Sequence, residues 1–95
     1  MNKQIFILRC DWNIYGDTGH DNIAVFGDEN EAIDALHSYV DNEKTDTLSK
    51  FFLNGVLRAG VECDDYKERN NYFLFTTKDG EWYIEVYLEC FDLVK

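Results

Sequence analysis

The segment from Tyr72 to Phe91 limits the fold more than any other. Tyr72 to Thr77, then Lys78-Asp79-Gly80, then Trp82 to Phe91 reads as strand, tight turn, strand, with Asp-Gly placed to supply the positive dihedrals of a hairpin. In the second arm Trp82, Ile84, Val86, Leu88 and Cys90 fall on one side of the pleat, and Tyr83, Glu85, Tyr87 and Glu89 on the other. The first set is core. A chain carrying this hairpin must build an antiparallel sheet with at least one packed face.

Residues 3 to 12 place Ile5 and Ile7 opposite Phe6, Leu8 and Cys10, so both faces are apolar and the strand is expected to be central. Asn13 to Asn22 (NIYGDTGHDN) is rich in Gly, Asp and Asn and predicts a long hairpin tip, with Ile23 to Phe26 as a short returning strand.

A helix is expected from about Asp28 to Asn42. Asp28 can accept from the free amides of the first turn, Glu31 sits at the capping-box position, and Glu29 adds favourable charge at the positive helix end. Ala32, Ile33, Leu36, Tyr39 and Val40 recur at three- and four-residue spacing as a core stripe, while Asp28, Glu31, Asp34 and Asp41 project from the other side.

Residues 43 to 50 are polar and lead to a second, shorter helix over Leu48, Phe51 and Phe52. Asn54-Gly55 can end that helix or turn a hairpin, and the lack of alternation around it favours the helix end. Val61 to Asn71 reads mostly as loop, with a short strand near Val61. The resulting pattern is ββα(α)ββ: an α+β domain, residues 1–95, with an antiparallel sheet of about four strands and one or two helices on one face.

Charge narrows the class of partner. Cys10 to Glu43 holds nine acids (Asp11, Asp17, Asp21, Asp28, Glu29, Glu31, Asp34, Asp41, Glu43) and no Lys or Arg, whereas residues 44 to 95 hold ten acids against seven bases. The net charge of −10 is therefore regional, and a field of one sign repels nucleic acid and anionic membranes while attracting basic surfaces. Solvated helices usually interleave Lys with Glu at i, i+4, and here the repulsion is left for a basic partner to relieve.

The strand face of Tyr83, Glu85, Tyr87 and Glu89 offers a second contact. Residues two apart on a strand lie about 6.5–7 Å apart, near the phosphate step of one nucleic-acid strand, so carboxylates alternating with rings resemble phosphates alternating with bases.

Catalytic and metal motifs are missing from the sequence. Asp11, Asp17, His20 and Asp21 could offer ligands, but their spacing matches neither a calcium loop nor a zinc hydrolase, and no metal or cofactor is expected. Neither His20 nor His37 stands in a nucleophile motif, the glycines form no phosphate loop, and Lys and Arg never cluster. Cys10, Cys63 and Cys90 show no metal or redox spacing and are expected to be free thiols, Cys10 and Cys90 in buried strands. The apolar run before Arg9 is shorter than the roughly 7–15 residues of a secretory signal, so a cytoplasmic location is expected, in the chain's own cell or a host's.

In size, regional acidity, aromatic content and lack of catalytic motif, the chain resembles the small acidic counter-defence proteins of phages and mobile elements, of anti-CRISPR and anti-restriction type. That resemblance implies a stoichiometric inhibitor that occupies a basic groove of a nuclease or CRISPR effector, several such proteins being nucleic-acid mimics; the missing motifs add the expectation of a non-enzyme, and a sufficient core that of a monomer or homodimer. An immunity protein against a toxin nuclease would use the same physics, and an accessory or oligomeric structural protein would use the sheet face instead.

Overall fold

A computed structural model describes residues 3–93. Two long strands, β1 (Lys3–Ile14) and β2 (Asp17–Phe26), form an antiparallel hairpin, followed by α1 (Glu29–Thr45). Next come two-residue strands, β3 (Phe52–Leu53) and β4 (Val56–Leu57), and then β5 (Cys63–Arg69), β6 (Tyr72–Thr77) and β7 (Trp82–Leu93). The main sheet is antiparallel throughout, in the order β2-β1-β7-β6-β5, and β3-β4 is a separate ribbon. The fold is α+β, with one helix and more strands than the four expected.

Alternation on β1, β6 and β7 makes one sheet face apolar. Leu8, Cys10, Phe73, Phe75, Ile84 and Val86 on that face meet Leu36 and Val40 of α1 and Leu48 and Phe52 beyond it. Burying each large side chain contributes roughly 1.5–3 kcal/mol, so this single layer is the main stabilising element. β1 is central, paired on both sides, because it is apolar on both faces. Asp28 caps α1, its carboxylate accepting from the Glu31 amide at 3.3 Å. The helix runs one turn past Asn42 because Lys44 extends the buried stripe of Ala32, Leu36 and Val40.

Five expectations are corrected. The 13–22 stretch is not a long tip: Tyr15 and Gly16, at φ 53° and 83°, form a two-residue turn, and Asp17–Phe26 is strand throughout. Ladder pairing with β1 overrides the turn-forming composition, and a bulge opposite Leu8/Arg9 absorbs the extra residue. Among the described residues no second helix follows α1. Asn54 and Gly55, at φ 52° and 79°, instead turn the β3-β4 ribbon. Residues 63–69 form an edge strand rather than a loop, polar because one long side of it is open to solvent. In the β6-β7 turn only Gly80 takes a positive φ, while Asp79 accepts from the Thr77 hydroxyl at 2.6 Å and the Glu81 amide at 2.9 Å. Cys10, Cys63 and Cys90 are free, and Cys90 is exposed, not buried. No helix among the described residues is long and apolar enough to cross a membrane.

Candidate partner-binding site

Because α1 and the β3-β4 ribbon lie on one side of the sheet, the opposite face is left uncovered. Tyr83, Glu85, Tyr87 and Glu89 share that face, joined by Tyr72 of β6 and by Arg9 and Asp11 of β1. Most of their polar groups are occupied with one another, although the buried Arg9 Nε has no partner among the described residues. Glu85 accepts from the Tyr83 hydroxyl at 2.9 Å and from the Tyr72 hydroxyl. Arg9 forms an ion pair with Glu89 and lies over the Phe91 ring. Asp11 accepts from the Tyr87 hydroxyl at 3.1 Å and is bonded to His20 across the hairpin. Partial burial, then the bond to Glu85, pushes the Tyr72 hydroxyl up to about 12 and that of Tyr83 up as well, and burial followed by Asp11 raises Tyr87. The carboxylates of this face are thus internally bonded, not presented as a free row.

The other acids behave differently. Asp17 pairs with Ile14 and Asp21 with Cys10, and the pleat places both on the helix side of the sheet. The helix runs back along β2: Asp28 and Glu29 lie near Lys3 and Phe6 at one end, and Glu43 lies beside Asp21 at the other. Asp28, Glu31, Asp34 and Asp41 are exposed along the outside of the helix. Helix and strand acids therefore share one flank. Among the described residues none of Asp17, Asp21, Asp28, Glu31, Asp34, Asp41 and Glu43 has an ion-pair partner. The one lysine of α1, Lys44, is turned into the core and bound to Glu68.

The side chains weighed as metal ligands do not converge. His20 and Asp11 meet on the uncovered face, whereas Asp17 and Asp21 face the helix side. Among the described residues no group of three His, Cys, Asp or Glu side chains is arranged to hold an ion.

Between the C-terminal half of α1 and the β1-β2 hairpin lies a cavity of about 220 Å³, lined by Trp12, Ile84 and Cys10 below and by Tyr39, Asp21 and Glu43 at its rim. Burial, opposed by a Tyr39 hydrogen bond and reinforced by the Glu43, Asp11 and Asp21 charges, pushes the Cys10 thiol up to about 11. In the sequence Glu43 is only a member of an acidic run, and Asp21 is a member of that run and of the loop weighed for metal ligands. Trp12 and Tyr39 carried no signal beyond apolar periodicity.

Comparison with protein-family models, with curated proteins and with solved structures gave no match to this chain.

Proposed function

We propose that this chain is a non-enzymatic acidic inhibitor that occupies the basic nucleic-acid-binding groove of a defence nuclease or CRISPR effector, working as a cytoplasmic protein in its own or a host cell. One observation carries the reading: acids from two elements stand on one flank, and none of those on the helix or on β2 is neutralised by an ion pair with a described residue. Charges left unpaired at this density repel one another, and a basic groove relieves that repulsion while losing its access to nucleic acid. The flank of Asp28, Glu31, Asp34, Asp41, Asp17 and Asp21 is the primary contact. The Tyr83, Glu85, Tyr87, Glu89 face is secondary, because its carboxylates are already bonded.

The test is competition. A partner captured from host lysate is titrated with labelled nucleic acid in the presence and absence of the protein, alongside the Glu31→Lys/Asp34→Lys variant. Release of the nucleic acid by the native protein, with slower association for the variant, supports the reading. A folded double variant that inhibits as fast and as fully as the native chain overturns it. A toxin nuclease as the captured partner would turn the same flank to an immunity role.

A second reading has its own observation. At one end of the uncovered face Ile5 pairs with Phe91 and Ile7 with Val25, and Val25 and Phe91 are 62% and 42% exposed. That apolar end supports an accessory or oligomeric role, which sedimentation across a concentration series distinguishes from inhibition.

A further inference from the structure

The cavity between α1 and the β1-β2 hairpin has a chemistry of its own. Its floor is aromatic and aliphatic, from Trp12 and Ile84, and its rim holds two carboxylates, Asp21 from the edge strand and Glu43 from the helix, with no Lys or Arg in its lining. At about 220 Å³ it falls below the roughly 300–1,000 Å³ of typical small-molecule pockets. It admits one side chain.

The Trp12 ring is fixed in place by its neighbour. Gly19 lies directly opposite Trp12 in the β1-β2 ladder, and a Cβ at position 19 would overlap the six-membered ring of the indole. The ring therefore lies over bare backbone at Gly19 and lines the cavity. A flat aromatic surface beneath paired carboxylates selects a planar cation: guanidinium stacks on an indole and bonds carboxylates with its forked donors, whereas ammonium is compact and holds its water more tightly.

We propose that this cavity receives an arginine side chain of the basic partner, stacked on Trp12 and bonded by Asp21 and Glu43. The inference rests on the inhibitor reading and gives it an anchor: the acidic flank steers the encounter, and a desolvated arginine fixes register and slows release. Tyr39 lines the rim beside Cys10, and burial, then Cys10 and the nearby Glu43 and Asp21 charges, hold its hydroxyl neutral. The same negative field that raises Tyr39 favours a bound cation.

The test uses the full chain and no partner, so its failure is distinct from failure of inhibition. Isotope-labelled protein is titrated with N-acetyl-arginine amide, and the Trp12 indole and the Glu43 amide are followed by NMR, with Trp82 as internal control. A saturable shift of Trp12 and Glu43 is expected, with Trp82 unmoved. Asp21→Asn/Glu43→Gln should weaken it at least tenfold, and so should Gly19→Ala, which displaces the ring without altering charge. N-acetyl-citrulline amide, isosteric and uncharged, should give no saturable shift, and N-acetyl-lysine amide should bind several-fold more weakly. A flat arginine titration overturns the proposal, as does an equal response to citrulline or lysine, or arginine binding unchanged in the folded Asp21→Asn/Glu43→Gln variant.

Discussion

The Lys44 ammonium is held in the core by Glu68 of the far edge strand, whose two carboxylate oxygens lie 2.7 and 2.8 Å away, with the Gly55 carbonyl accepting at 3.0 Å. Phe52 and Phe73 face the same cation at 5.3 and 5.7 Å from their ring centroids. Removing Glu68 leaves a buried charge without its counter-ion. Glu68→Ala should cost about 2 kcal/mol, less than the roughly 3–5 kcal/mol of a fully buried pair because the Glu68 side chain is partly exposed. Lys44→Met, which keeps the apolar stem, should cost less than Glu68→Ala in urea unfolding. The reverse order would show that Lys44 is not the penalised partner.

Gly19→Ala should destabilise the domain by about 1–3 kcal/mol, the usual penalty for forcing a group into packed space. Loss of the Trp12 signal in near-UV circular dichroism should accompany the lower melting temperature. An unchanged melt would mean that the ring gives way freely.

Stability should fall on the alkaline side. The Cys10 thiol is raised from 9.0 to about 11, and the hydroxyls of Tyr39, Tyr66, Tyr72, Tyr83 and Tyr87 are raised from 10.0, in each case with burial as the leading cause. The folded state holds these protons more tightly than the unfolded one. Their contribution is complete below pH 9.0, the unfolded thiol value, and is lost as pH rises through the folded values. On the acid side the signs invert. For Glu68, burial raises the pKa but the hydrogen bonds from Lys44 and Tyr66 outweigh it, and for Asp79 the Thr77 hydroxyl leads, so both end lower than usual. Their contribution is present above the unfolded values of 4.5 and 3.8 and is lost below them. Urea midpoints from pH 3 to 11 should trace a plateau with two shoulders. A midpoint that climbs between pH 9 and 11 would contradict the assignment.

Lys50 sits among three rings, with Nζ 4.9 Å from the centroid of Trp82, 5.1 Å from Phe51 and 5.8 Å from Tyr15, and donates to the Tyr15 hydroxyl at 3.2 Å. It ties the β1-β2 turn to the segment after α1. Lys50→Ala should cost about 0.5–1 kcal/mol and change Trp82 fluorescence, whereas Lys50→Arg should keep most of both. Equal losses in the two variants would remove the cation from the explanation.

Where local pattern and tertiary demand agree, the chain could be read directly. The α1 stripe and cap, the two-faced β1 and the alternation of β7 all follow from period and capping chemistry. The edges could not be read. Asp17 to Asn22 is strand only because β1 lies beside it, and Gly19, which reads as turn punctuation, is there to seat Trp12. The β5 strand hides behind Asp64, Asp65, Lys67, Glu68 and Arg69 because an edge strand in solvent has little reason to be apolar. The outward side of β7 was evident from its alternation, yet Arg9 and Tyr72, which quench its carboxylates, come from strands whose register no spacing rule supplies. That Asp21 and Glu43 line one cavity depends on the helix running back along β2, a matter of packing alone.

The β2 edge has a colloidal consequence. Ten residues of strand present one unpaired row of backbone donors and acceptors to solvent, with Val25 exposed on it, and such an edge is a template for sheet-to-sheet aggregation. Two copies joined there in antiparallel register about Gly19 would set Asp17 of each against Asp21 of the other, and their repulsion would oppose that join. That guard works through solvent. Its reach shrinks from about 10 Å at 0.1 M salt to about 3 Å at 1 M, so concentrated stocks of this acidic chain should cloud as salt is added rather than as it is withdrawn.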